Sequence, residues 1–255
     1  RRPDFIIATK FAGPMSTEHA WMRGGSRRWI IQAVEGSLRR LGSDYLDLYQ
    51  MHTADTTVPI EETLRALDDL VHQGKVRYIG CSNYAAWQIA DAAWTSREHH
   101  LNAFVSAQNR YSLLSRDLEK EVVPAVQHYG LGILPYFPLE SGLLSGKYLP
   151  GKDFPADSRL LKWGEWAAAA FASPDKLEMV ARLFELCDRY RHSMLELAMG
   201  WLTGKPWVSS VIAGVTTVQQ LEQNVAAAAW RGSAEELAEI DRISPPPGSY
   251  SRERR

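Results

Sequence analysis

The sequence predicts an α/β fold on a parallel sheet, and three observations predict it. Short apolar runs alternate with amphipathic helical stretches along the whole chain of 255 residues. Runs such as Phe5-Ile6-Ile7-Ala8 are apolar on both faces, as strands covered by helices must be. No Gly-x-Gly-x-x-Gly follows any run, so the phosphate turn of a doubly wound dinucleotide fold is absent. That favours a (β/α)8 TIM barrel over an open sheet. About six of the eight βα units are present, so the barrel is expected to be N-terminally incomplete, opening on Arg1 with Lys10 already past the first strand.

Each element has its own reason. The expected strands are residues 5–9, 45–49, 76–81, 103–107, 131–136 and 208–212, each joined to the next through helix. A helix over 26–41 carries Ile30, Ile31, Val34 and Leu38 at helical spacing. A second starts at Pro59 with Glu61 and Glu62 in its first turn and stops at Gly74-Lys75, the usual helix punctuation. Further helices are expected over 85–95, 118–129, 174–190, 194–202, 218–229 and 234–243. Residues 137–172, rich in Gly, Pro, Ser and Trp, form a long loop near the site, with Trp163 and Trp166 as a bulky aromatic wall. Residues 245–255 are a loosely ordered tail. No Pro/Gly linker divides the chain, so residues 1–255 are expected to be one domain.

Composition narrows the function classes. A net charge of −1 gives no electrostatic case for nucleic acid or an anionic membrane. No apolar run approaches the roughly 20 residues needed to cross a bilayer. Cys81 and Cys187 lie far apart without metal-ligand spacing, which predicts free, buried thiols in a cytoplasmic protein and no metal site.

Chemistry concentrates just past the strands, the face on which α/β barrels build their sites. Those positions hold Lys10, His52, Ser82, Asn83, Gln108, Tyr136 and the stretch 214–217. Taken singly, each has a structural explanation: a surface lysine, a core histidine, a helix cap at Asn83, an amide bonding its neighbours at Gln108, packing at Tyr136. Folding does not require polar groups at six consecutive strand ends, and a binding site does.

The motifs at these positions resemble the aldo-keto reductases. They are Ile7-Ala-Thr-Lys10, Asp44-Tyr-Leu-Asp-Leu-Tyr-Gln-Met-His52, Gly74-Lys-Val-Arg-Tyr-Ile-Gly-Cys-Ser-Asn83, Gln108-Asn-Arg-Tyr111 and Tyr136-Phe-Pro-Leu139. Gly142-Leu-Leu-Ser-Gly-Lys-Tyr148, Ile212-Ala-Gly-Val-Thr-Thr217 and Leu221-Glu-Gln-Asn224 follow in the same order. The resemblance implies an oxidoreductase that transfers hydride from NADPH to a small aldehyde or ketone, with no nucleic-acid or membrane partner and oligomeric state open. It implies that Ser82, Asn83 and Gln108 hold the nicotinamide carboxamide and that Tyr136 stacks on its ring. Pro138, Leu139, Gly142, Leu143, Gly214, Thr216 and Gln220 would wrap the rest of the dinucleotide, with Asn224 at the adenine. It implies catalytic roles for His52, orienting the carbonyl, and Lys10, lowering the pKa of a tyrosine acid.

Two departures stand out. The family carries that tyrosine and its aspartate in an Asp-x-x-x-x-Tyr pattern upstream of the lysine motif, a stretch outside the 255 residues that start at Arg1. If these residues are the whole molecule, little or no reductase activity is expected; if they are a piece of a longer product, the parent is expected to be active. A non-catalytic NADP(H)-binding barrel resembling channel-associated β subunits is the alternative. At residue 220, where the family often has an arginine for the adenosine 2′-phosphate, the chain has Gln220, so NADH stays an alternative to NADPH.

Overall fold

A computed structural model describes residues 1–147, 159–164, 166 and 171–248. The chain divides into two compact units, Arg1–Asn109 with Glu121–Ile133, and Arg110–Lys120 with Leu134–Arg255.

The first unit holds a parallel five-stranded sheet in the order β1 to β5: β1 Ala8–Phe11, β2 Leu46–Met51, β3 Val76–Ser82, β4 Ser106–Gln108 and β5 Gly132–Ile133. Its helices are α1 Arg27–Leu41, α2 Ile60–His72, α3 Ala86–Glu98 and α4 Val122–Tyr129, each packed against the next. Helix α1 forms where expected because both ends are sealed. The Ser26 hydroxyl accepts from the Trp29 N–H at 3.4 Å, and Gly42 closes the other end with φ 60°. Helix α2 turns Leu64, Leu67 and Leu70 inward at helical spacing, and all three are fully buried.

Register settles which side chains share a face. Phe11, Met51, Cys81, Ala107 and Ile133 form one row across the sheet, and each is at most 3% exposed. One pleat back, the row reads Lys10, Gln50, Gly80, Ser106 and Gly132 on the opposite face. By the same alternation Ser82 and Gln108, paired in register, return to that polar face one step beyond, and His52 follows Met51 onto it.

The first strand departs from expectation. Phe5 and Ile6 are 65% and 84% exposed rather than buried. Arg2–Asp4 forms a 3-10 turn, and the Asp47 carboxylate takes the Ile7 N–H at 2.8 Å, so pairing starts only at Ala8. Lys10 therefore lies within β1 and not beyond it. The expected strand over 208–212 reduces to one parallel bridge, Tyr136 with Ile212, and Tyr136 lies outside β5. Gly130, with φ 73°, ends α4, and β5 is only two residues long.

The second unit is helical, with α5 Arg159–Lys162, α6 Pro174–Tyr190, α7 Met194–Thr203, α8 Val218–Ala227 and α9 Ala234–Ile243. Arg116, 6% exposed, ties it together. Its guanidinium grips Glu119 through two bonds of 2.8 and 2.9 Å, reaches Asp241 of α9 at 2.7 Å and bonds the Ser244 carbonyl. The loop expected over 137–172 begins with a kinked 3-10 segment, Glu140–Ser145, and includes α5. Trp163 and Trp166 stack at 5.8 Å with an interplanar angle of 10°. Residues 148–158, 165 and 167–170 of that loop, and 249–255 of the expected tail, lie outside the described residues.

Candidate nucleotide site

In the first unit, the expected residues at the sheet's carboxyl end interlock. The Ser82 hydroxyl donates to the Gln108 carbonyl at 2.8 Å, and the Asn83 N–H donates to that same oxygen at 3.0 Å. Asn83 takes the left-handed conformation, φ 57°. Its side-chain amide donates to the His52 carbonyl at 3.0 Å and to the Ser82 hydroxyl at 3.2 Å. The His52 N–H in turn donates to the Phe11 carbonyl at 3.0 Å. Asn83 does not cap α3, whose capping residue is Ala85, held by Gln88 at 2.9 Å. The helix-cap explanation of Asn83 therefore fails, and the amide serves to fix the end of β3 against that of β2.

Gln108 holds its neighbours through its backbone, so its side chain is spare. The residue is 6% exposed, and its side-chain oxygen has no hydrogen-bond partner among the described residues. The Ser106 hydroxyl, on the same face, and the Asn109 side-chain oxygen share that condition. A buried acceptor left unpaired costs about 1–3 kcal/mol, which folding alone gives no reason to accept. An acceptor of this kind fits a ligand that brings amide N–H groups.

Lys10 is half-buried, and burial pushes its pKa below the ordinary lysine value. His52 is exposed, yet residual desolvation and the neighbouring Lys10 charge both push it below the ordinary histidine value, which favours the neutral imidazole at pH 7. Among the described residues no carboxylate lies within ion-pair distance of Lys10. Tyr49 offers no acid: it is fully buried, burial raises its pKa, and its hydroxyl has no partner among the described residues. The Tyr111 and Tyr84 hydroxyls are engaged, by Glu119 at 2.8 Å and Met51 at 2.9 Å.

In the second unit, Tyr136 is bridged in parallel to both Arg110 and Ile212 and packs edge-on against Phe137 at 5.4 Å. Pro138 is buried, Leu139 and Gly142 are partly exposed, and Leu143 is fully buried, so Leu143 has only its backbone to offer a ligand. Gly214, Thr216 and Gln220 are exposed. The Thr217 hydroxyl caps α8, and the Gln220 side-chain oxygen accepts from the Thr216 N–H at 2.9 Å and its hydroxyl at 3.1 Å. Gln220 thus shapes the loop it ends, and Asn224 is 8% exposed on the next turn of α8.

Sequence reasoning passed over Ser106 and over Arg110 and Glu140, an ion pair in which the carboxylate is fully buried and the guanidinium partly exposed. The trace of the pair was one acid, Glu140, within the apolar and Gly-rich run Phe137-Pro-Leu-Glu-Ser-Gly-Leu-Leu144. Cys81 and Cys187 are free and buried, burial pushing both thiols up to about 12. Among the described residues no helix is long and apolar enough to cross a membrane.

Comparison with known proteins places these residues in context. The model of the Aldo/keto reductase family matches residues 1–245. The chain is 34% identical over 256 residues to the uncharacterized oxidoreductase YrpG of Bacillus subtilis, covering 99% of this chain and 76% of that protein. It is 34% identical over 248 residues to a putative voltage-gated potassium channel subunit beta of Schizosaccharomyces pombe, covering 95% and 72%. It is 34% identical over 245 residues to the L-glyceraldehyde 3-phosphate reductase of Escherichia coli, covering 94% and 70%.

Proposed function

The chain belongs to the aldo/keto reductase family, and on that premise we propose that it is an NADP(H)-linked oxidoreductase acting on a small aldehyde or ketone. The observation that carries the reading is the spare, buried side-chain oxygen of Gln108 beside the interlocked Ser82, Asn83 and His52. When bound, the nicotinamide supplies the hydride that a carbonyl carbon accepts. Gln108 accepts from the carboxamide N–H, and Ser82 and Asn83 hold the end of β3 in place for it. Tyr136 offers a ring face to the nicotinamide. Pro138, Leu139, Gly142, Leu143, Gly214, Thr216, Gln220 and Asn224 line the remainder of the dinucleotide.

The substrate oxygen is the business of His52 and Lys10. A neutral imidazole N–H orients the carbonyl and strengthens its hydrogen bond as negative charge develops on that oxygen. The Lys10 ammonium stabilises the same charge and, its pKa lowered by burial, would donate the proton that turns the alkoxide into the alcohol. NADH in place of NADPH is the cofactor alternative, since Gln220 carries no charge for a 2′-phosphate. The setting is cytoplasmic, with the (β/α)8 barrel of the family as the fold.

A second reading, nucleotide binding without turnover, is favoured by one observation. The chain is 34% identical to a protein named a putative voltage-gated potassium channel subunit beta. Titration of the purified chain with NADPH, followed by addition of 4-nitrobenzaldehyde, separates the readings. Binding with NADPH oxidation that His52→Ala removes supports the reductase. Binding without oxidation supports the binding module, and no binding refutes both.

A further inference from the structure

Glu140 is the most deeply buried charge among the described acids, at 0% exposure, yet it sits in a run of proline, leucine, serine and glycine. Its carboxylate accepts from Arg110 Nε at 3.2 Å, from Arg110 Nη2, and from the Ser112 hydroxyl at 2.8 Å, with Lys176 Nζ at 3.5 Å. Burial alone would raise its pKa, but these donors outweigh burial and hold the carboxyl below its ordinary value, ionised.

The backbone around it is unusual too. Phe137, Glu140 and Ser141 all have positive φ, at 54°, 44° and 57°, and Gly142 follows at 104°. Two successive non-glycine residues in the left-handed region persist only where their surroundings hold them. Glu140 is one of those two, so the clamp acts at the strained point itself. Arg110 secures the other end as well. It is bridged to Tyr136, its guanidinium lies 4.7 Å over the Phe171 ring, and Phe171 packs edge-on against Phe137 at 5.5 Å.

Taking a carboxylate fully out of water is costly even when partly exposed cations meet it, and well-packed apolar residues would serve stability better, so stability does not explain a carboxylate here. Fixing one loop conformation does. We propose that Glu140 is a positioning residue of the nucleotide-holding loop. Its clamp by Arg110, Ser112 and Lys176 fixes the left-handed turn Glu140–Gly142 so that Pro138–Leu143 is preorganised for the dinucleotide. This rests on the nucleotide reading above.

The test uses the full 255-residue chain, NADPH as ligand and Glu140→Gln, which keeps shape and removes charge. NADPH affinity is expected to fall about tenfold through lost preorganisation, with faster amide hydrogen exchange confined to residues 137–146. Arg116→Met, which loosens the same unit away from the loop, is the control and leaves affinity unchanged below its melting temperature. If Glu140→Gln does not fold, Ser112→Ala removes one donor and is expected to weaken binding about threefold by the same route. Unchanged affinity in the Glu140 or Ser112 variant, or equal weakening by Arg116→Met, overturns the positioning role alone. Failure of the unaltered chain to bind NADPH overturns the nucleotide reading and the proposal with it, and that titration identifies which step failed.

Discussion

Replacing Gln108 with methionine should make the ligand-free protein more stable and its nucleotide binding weaker. The side chain is 6% exposed, and its carbonyl oxygen has no partner among the described residues. The contacts that hold the strand ends use the Gln108 backbone carbonyl, at 2.8 Å from Ser82 and 3.0 Å from Asn83, and these survive the substitution. An unpaired buried acceptor costs about 1–3 kcal/mol. Methionine has nearly the same length, removes the acceptor and adds apolar burial. Allowing for imperfect packing, the gain is about 1–2 kcal/mol.

For a chain of this size each kcal/mol moves the melting temperature by about 2–4 °C, so the ligand-free midpoint should rise by about 2–8 °C. Losing one hydrogen bond from a buried site should weaken NADPH by about 1–1.5 kcal/mol, roughly tenfold. Thermal melting followed by circular dichroism, with and without NADPH, measures both effects in one series. The ligand-induced rise in midpoint should shrink in the variant while its starting midpoint is higher. A variant less stable than the parent by 1 kcal/mol or more, binding NADPH unchanged, would show that the fold itself satisfies this carbonyl and would refute the reasoning.

Three further outcomes follow from the geometry. Arg116→Met should cost about 3–5 kcal/mol in urea unfolding, because it strands the 14%-exposed Glu119 carboxylate, and adding Glu119→Gln should restore part of the loss. A cost under about 1 kcal/mol would contradict the network. His52, with its folded pKa below the unfolded value of about 6.5, takes up a proton more readily when unfolded. Stability should therefore fall as pH drops through about 6.5 until the folded imidazole also protonates, and His52→Gln should flatten that part of the profile. Gly80→Ala would place a Cβ 2.5 Å from the Ser106 hydroxyl and 3.0 Å from its carbonyl oxygen, so it should destabilise by about 1–3 kcal/mol in thermal melting.

The polar face of the sheet was legible because strand periodicity is short-range and the register is enforced by burial. Once Phe11, Met51, Cys81, Ala107 and Ile133 occupy one buried row, Lys10, Ser82, Gln108 and His52 must fall on the other face. What periodicity does not specify is where pairing begins. Phe5 and Ile6 have the composition of a strand, but the Asp47 carboxylate captures the Ile7 N–H, and only the third dimension contains that competitor. The same holds at 208–212, where apolar residues give a single bridge at Ile212.

Glu140 shows how a long-range feature leaves a local trace. Its partners Arg110 and Ser112 lie 30 and 28 residues earlier, and Lys176 lies in α6, so no window of sequence contains the clamp. Gly142 and Pro138 mark the segment as a turn, which hid the acid among residues that turns tolerate. Yet leucine on both sides, with Leu143 and Leu144 fully buried, means that the chain around Glu140 is drawn into the interior. A carboxylate carried inward with it must find cations or be neutralised. A lone acid between apolar anchors in a glycine-bearing loop therefore calls for a distant cation, and the arginine of Gln108-Asn-Arg-Tyr111 is the one that meets it.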